Sequence, residues 1–320
     1  MSDYLDSVLL VGCGYMGQEY CKVLKALQVS LFVVGRGESS AKDFRKKTGI
    51  MAYTGGLAQF IDKQKLIPPC AIVAVNMEEL YGTVKQLLDV GVKRILVEKP
   101  GAICYEQIQK LSALAERRGA DVFVAYNRRF YSSVRKAMEL IAEDGGVSSF
   151  RFEFTEWTHK ILALNKSSAL LGALFLGNSS HVVDLAFYLG GIPKSISCYT
   201  AGAFEWYDKA SSFSGAGIAQ NGASFSYYAD WESAGRWSVE ILTKKRKLLL
   251  CPLEELRSQL RGSLTAEKVE IDDELDQKFK PGLYLQTKTF LDGSCGSLLT
   301  LREHVKLCEF YQKIEAGSGN

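Results

Sequence analysis

Near its start the chain runs Val8-Leu9-Leu10-Val11 straight into Gly12-Cys13-Gly14-Tyr15-Met16-Gly17, and helical apolar spacing follows from Tyr15 to Leu27. A strand, a G-x-G-x-x-G turn and a helix in immediate succession constrain the fold more than any other feature of this sequence. Gly12 permits the tight turn, Gly14 lets the backbone approach a pyrophosphate, and Gly17 lets the helix pack on the strand. The unpaired N–H groups and the positive end of the helix then face the phosphates. Gly12, Gly14, Tyr15, Met16 and Gly17 are therefore the candidate phosphate-binding residues of a dinucleotide site.

The rest of the first 127 residues keeps the same rhythm. Val29–Val34, Ala71–Val75, Arg94–Val97 and Val122–Tyr126 read as strands, and Leu80 to Val90 and Gln107 to Ala115 as helices. Apolar strands alternating with helices predict a doubly wound parallel sheet with both faces covered, the Rossmann arrangement. After Asn127 the pattern changes. Phe150–Trp157, Ser195–Thr200, Ala223–Trp231 and Trp237–Leu250 alternate as strands with one solvated face do, and Ser180–Leu189, Leu283–Leu291 and Leu301–Ile314 read as helices. The fold class expected is α/β: residues 1–127 form a Rossmann domain, and residues 128–320 an α+β domain with a largely antiparallel open sheet. The C-terminal helix is free to pack back on the first domain.

Composition narrows the function classes. There are 39 basic against 36 acidic residues, too balanced for nucleic acid or an anionic membrane to be the main partner. The eight cysteines lie singly and there are three histidines, so no metal site is expected. No apolar run is long enough to span a bilayer, and Asp3 and Asp6 stand where a secretion signal carries lysines. The expectation is a cytoplasmic protein with reduced thiols. Lys244-Lys245-Arg246-Lys247 reads as a hairpin turn, the aromatics Phe150, Phe152, Phe154 and Trp157 as a packed sheet face, and His159 and His304 as residues without a special role.

The end of the second strand bears on cofactor choice. NAD sites place Asp or Glu there for the ribose hydroxyls; this chain has Gly35, followed by Arg36-Gly37-Glu38-Ser39-Ser40. Arg36 can pair with a 2′-phosphate, and Ser39 and Ser40 can donate to it, which favours NADP over NAD. Glu38 is the alternative, as an acceptor for the ribose diol. Lys99 follows the fourth strand, where open α/β sheets bind their ligands, and Pro100 keeps it extended. A partly desolvated lysine near a nicotinamide can exchange a proton with a substrate hydroxyl.

Together, Gly12–Gly17, Glu98-Lys99-Pro100, Tyr126-Asn127-Arg128-Arg129-Phe130 and Ser180-His181-Val182-Val183-Asp184-Leu185 resemble the Gfo/Idh/MocA family, the relatives of glucose–fructose oxidoreductase and inositol dehydrogenase. The resemblance implies reversible oxidation of a hydroxyl on a sugar, cyclitol or nucleotide-sugar, with Lys99 and His181 catalytic and Arg129, Asn178 and Asp184 at the substrate. It also implies cofactor contacts from Glu98, Lys99, Asn127 and Asn76, the last standing in Val75-Asn76 where the family has Thr-Pro. Ser179 or Ser180 is expected to N-cap the helix, placing a neutral His181 in its first turn with Asp184 orienting the ring.

One departure matters. The family pattern is D-x-G-x-H, and the aspartate position here is Gly177. Asn178 stands one residue later and cannot act as a base. The missing carboxylate supports an alternative reading, a dinucleotide-binding regulatory protein without turnover. Either way the partner expected is a small sugar-like molecule, and the second-domain sheet offers a face for a homodimer or tetramer.

Overall fold

The computed structural model describes residues 7–64 and 66–317. The chain divides into two compact units. The first comprises the chain up to Asn127 together with Gln277–Val305, and the second comprises Arg128–Asp276 and the chain from Lys306 onward.

In the first unit five strands pair in parallel: β1 Ser7–Val11, β2 Ser30–Val34, β3 Cys70–Val73, β4 Arg94–Glu98 and β5 Asp121–Ala125. Their order is β5-β4-β3-β1-β2. Burial on both faces of the sheet explains the continuous apolar runs: all five residues of β1 are buried. Because β2 and β3 flank β1 on opposite sides, the chain reverses its winding direction there. The crevice at the carboxyl ends of β1 and β3 is the topological switch point at which such sheets bind ligands.

Sequence pattern alone assigns 277–305 to the second domain, whereas in the structure this segment completes the first unit. Leu299–Thr300 adds an antiparallel edge strand beside β5. Arg94 Nε donates to Phe290 O at 2.8 Å, with its guanidinium over the Phe123 and Phe290 rings. Asn127 Nδ2 donates to Pro281 O at 2.9 Å, and the buried His304 ring donates through Nε2 to Pro100 O at 3.0 Å. These partners lie far away in sequence, and local periodicity does not register them.

The second unit holds eight strands: β6 Ser149–Glu153, β7 Pro193–Ala201, β8 Ser212–Ala219, β9 Ser224–Asp230, β10 Ser238–Leu242, β11 Arg246–Leu250, β12 Arg257–Leu260 and β13 Glu267–Lys268. Their order is β13-β12-β11-β10-β6-β9-β8-β7, antiparallel except for the parallel pair β6–β9. Phe150, Phe152 and Phe154 alternate onto the buried face, where Phe152 meets Phe187 of the helix Ser180–Gly190 edge-on at 5.7 Å. The hairpin turn expected at Lys244–Lys247 falls at Thr243–Lys245, between β10 and β11, and Arg246 and Lys247 belong to β11. Arg246 at the start of β11 donates to the buried Asp144 at 2.9 Å. The last helix, Leu301–Ala316, begins in the first unit and ends in the second. No helix among the described residues is long and apolar enough to cross a membrane.

Candidate functional site

A cavity of about 650 Å³ opens at the switch point of the first unit, within the size range of small-molecule and cofactor sites. Gly12, Cys13 and Gly14 form one wall, Ala74, Val75 and Asn76 a second, and Gly35, Arg36 and Ser40 a third. Each glycine of the turn has its own physical reason. Gly12 has φ +123°, and a Cβ there would run into Ala74 O. A Cβ on Gly17 would meet Gly12 O, so the helix packs against the turn only as glycine. A Cβ on Gly14 would meet nothing within 4 Å; it would project into open space, where a phosphate needs to approach. These residues fit a dinucleotide.

Gly35 stands where an acidic residue would bind the ribose, and the structure explains its lack of a side chain. A Cβ there would lie 2.6 Å from Cys13 Sγ. Cys13 is buried, and burial pushes its thiol up to about 11, so it sits there as a neutral space-filler. The backbone offers no slack: Gly35 N–H donates to Tyr53 O at 2.8 Å, and Gly56 N–H donates to Gly35 O at 3.0 Å. Arg36 is exposed beside the cavity, with Nη1 2.9 Å from Glu79 Oε1. Sequence reasoning misses two parts of this rim. One is Glu79. The other is Gly55-Gly56, a turn with two left-handed residues, for which the Gly-Gly dipeptide is the only signal.

Other first-unit candidates stand elsewhere. Ser40, not Ser39, lines the cavity, and its hydroxyl donates to Gly37 O. Tyr15 and Met16 begin the helix beyond the lining; the Tyr15 ring is exposed, with Lys280 Nζ 5.4 Å from its centroid. Glu98 accepts from the buried Tyr20 hydroxyl at 2.8 Å, and Asn127 is held by Pro281. Lys99, half-buried, follows the carboxyl end of β4 directly.

In the second unit the structure corrects the capping reading. Neither serine caps the helix. A π-helical turn, Phe175–Ser179, runs into Ser180–Gly190 without a break, and Ser179 is itself in a helical conformation. Ser180 Oγ donates back to Leu176 O. His181 therefore lies within continuous helix, and no positive helix end faces it. Its ring is buried, with its centroid 6.0 Å from that of Trp237. Asp184, expected to orient that ring, accepts from Arg129 through both oxygens, at 2.8 and 2.6 Å, in a buried bidentate pair. Burial disfavours the Arg129 charge, but Asp184 outweighs it and holds the guanidinium above its ordinary value.

The carboxylate beside Asn178 is one that sequence reasoning misses. Glu156, three residues beyond β6, has a side chain with no exposure and accepts from Asn178 Nδ2 at 2.8 Å and from Ser179 Oγ at 2.7 Å. Arg236 Nη1 is 3.6 Å away. Arg236 and Arg128 each stack on Trp237, at 4.3 and 4.7 Å. Burial pushes Glu156 up to about 7, against the pull of Ser179, Arg236 and Asn178. Among the described residues no group of three or more His, Cys, Asp or Glu side chains could hold a metal ion.

Residues 7–126 match the model of an oxidoreductase family with an NAD-binding Rossmann fold, GFO_IDH_MocA. No curated protein matches the sequence. Among solved structures, an oxidoreductase from Agrobacterium radiobacter in complex with NAD+, L-tartaric acid and magnesium superposes with a TM-score of 0.79 at 13% identity, covering 98% of this chain and 97% of that one. UDP-N-acetylglucosamine 3-dehydrogenase from Acidithiobacillus ferrooxidans gives 0.73 at 13% identity, covering 98% and 97%. The WlbA dehydrogenase from Bordetella pertussis, in complex with NADH and UDP-GlcNAcA, gives 0.72 at 16% identity, covering 97% and 95%. At these identities the likeness is one of fold.

Proposed function

We propose, from the match of residues 7–126 to the oxidoreductase family GFO_IDH_MocA with its NAD-binding Rossmann fold, that the protein transfers a hydride between a nicotinamide cofactor and a hydroxyl-bearing carbon of a sugar, cyclitol or nucleotide-linked sugar. The observation that carries this reading is the switch-point cavity, where the turn Gly12–Gly17 leaves open space at Gly14 for a phosphate, with Lys99 following strand β4. The dehydrogenase neighbours, two of them acting on or holding UDP-sugars, support the substrate class.

When bound, the nicotinamide supplies the hydride chemistry. The chain's own residues do the rest. Gly12 and Gly14 admit the pyrophosphate to the helix start. Arg36 pairs with a 2′-phosphate after leaving Glu79, and an exposed ion pair of that kind is worth at most about 1 kcal/mol. On this ground NADP is the preferred cofactor. In the first unit Lys99 is assigned proton exchange with a substrate hydroxyl, and in the second unit His181 and Asn178 are assigned hydrogen bonds to substrate hydroxyls. Arg129 and Asp184, expected from sequence as substrate contacts, are assigned instead to fixing the helix that carries His181, because each satisfies the other.

Eight free cysteines support a reducing, cytoplasmic setting. Tyr199, Ile218 and Tyr228, exposed on the outer face of the second sheet, support a homo-oligomer. The test of function is nicotinamide absorbance during incubation with NADP+ or NADPH and a panel of free sugars, inositols and UDP-sugars or their keto forms. Turnover of any member is expected. Cofactor binding without turnover favours the regulatory reading, to which the missing side chain at Gly177 lends its one observation.

A further inference from the structure

We propose that Glu156 is a positioning residue for the substrate: its buried carboxylate fixes the amide of Asn178, and gain of a proton reverses that amide, so that substrate binding follows the protonation of a side chain that does not itself touch substrate. The proposal rests on the oxidoreductase reading.

Asn178 and Ser179 belong to a π-helical turn, a feature that is rare and concentrates at functional sites. The turn aims both side chains at Glu156, one onto each oxygen. An ionised carboxylate only accepts, so Asn178 must present its NH2 to Glu156 and keep its carbonyl oxygen, Oδ1, turned away as an acceptor for a substrate hydroxyl. Ser179 is fully buried against the carboxylate, whereas Asn178 is only half-buried and reaches the surface of the unit.

A protonated Glu156 offers one O–H donor. With that proton on Oε2, the oxygen that Asn178 meets, the amide gains by turning over, giving Oδ1 to Glu156 and its NH2 outward, and the group presented to substrate changes from acceptor to donor. The groups facing Glu156 set where this happens. Asn178 and Ser179 approach from the π-helical turn, Arg236 and the Trp237 indole from the segment before β10, and Arg128, from the turn Asn127–Phe130, interacts with it electrostatically. Arg236 is exposed enough for its attraction to be screened, and burial prevails. The carboxyl, pushed up to about 7, therefore changes state at neutral pH. Gly177 lacks the carboxylate of the D-x-G-x-H pattern, and Glu156 brings one to the same turn from a different part of the chain.

The test has two independent readouts. In the ¹⁵N-labelled protein, the Asn178 side-chain amide resonances should titrate between pH 5 and 9 with a midpoint near 7, and should not titrate in the Glu156→Gln variant. A wild-type amide that stays unmoved overturns the proposal. In kinetics, KM for the sugar should change about tenfold across the same range in the wild type, the worth of one hydrogen bond. The direction depends on whether the substrate offers a donor or an acceptor, and Glu156→Gln and Asn178→Ala should both flatten the profile. A titrating amide with a flat wild-type KM overturns the substrate role. A wild type that turns over nothing refutes the oxidoreductase reading instead, and the amide titration still decides the Glu156–Asn178 couple.

Discussion

Replacing Gly35 with aspartate would install the carboxylate that NAD sites use, yet in this chain the change is expected to fail on its own. The new Cβ would lie 2.6 Å from Cys13 Sγ and 3.3 Å from Cys13 Cβ. The turn cannot retreat, because Gly12 N–H donates to Val34 O at 2.8 Å and Gly35 is hydrogen-bonded through both its N–H and its C=O. Overpacking of this kind costs roughly 1–3 kcal/mol. Cys13→Ala removes the closer contact and leaves the 3.3 Å one, so most of that loss should return in the Cys13→Ala/Gly35→Asp pair. The coupling energy from a double-mutant cycle in urea should then be about 1–2 kcal/mol. In the paired variant the carboxylate can accept from the ribose hydroxyls, and NADH should bind more tightly by roughly 1.5–3 kcal/mol, the worth of a hydrogen bond to a charged group. Fluorescence titration with NADH and NADPH reads that shift. A Gly35→Asp single variant as stable as the wild type, with no coupling to Cys13, would refute the explanation of why this position is glycine.

Arg36→Ala should weaken NADPH by roughly 1.5–3 kcal/mol and leave NADH nearly unchanged, while Glu79→Gln, which frees Arg36 and removes a negative charge from the rim, should strengthen NADPH; parallel titrations of both cofactors check this. Lys99→Met should keep cofactor affinity and lower turnover by roughly 10²–10⁴-fold, so near-normal turnover would make Lys99 structural. Asp184→Asn leaves Arg129 charged and buried without its partner and should destabilise the protein by roughly 3–5 kcal/mol in denaturant melts. Glu156 has its pKa raised on folding from an ordinary 4.5 to about 7, so the stability it lends is fully present below 4.5 and is lost as pH rises through 7. At roughly 1.4 kcal/mol per pH unit, Glu156→Gln should gain about 3 kcal/mol over the wild type between roughly pH 4 and pH 8.

The parallel sheet was legible because β1, β3, β4 and β5 are buried on both faces and leave uninterrupted apolar runs. Ser212–Ala219 was not, since six of its eight residues are Ser, Gly or Ala and its two large apolar residues, Phe213 and Ile218, fall on opposite faces, although it pairs on both sides. The helix Glu38–Thr48 escapes notice for a related reason: only Ala41, Phe44 and Thr48 face inward, and the rest is polar. In the sites, the glycines announced themselves because their constraint is local. The cap expected of Ser179 is misread from sequence because nothing near it records the π-helical turn, and the pairing of Asp184 is not legible because its partner Arg129 lies far away in sequence. Glu156 looks like a lone acid between Thr155 and Trp157, and its meaning emerges only when the turn carrying Asn178 and Ser179 lies over it.

The proposed reaction is hydride transfer between the cofactor and a carbinol carbon. The most direct measurement incubates the protein with NADPH carrying deuterium at both positions of nicotinamide C4 and with the keto form of a sugar or UDP-sugar substrate, and follows the label by mass spectrometry. One deuterium is expected on the carbinol carbon of the product and one retained on the NADP+, with the transfer strongly slowed in Lys99→Met. Bound cofactor that keeps both deuteriums against every member of the panel would contradict it.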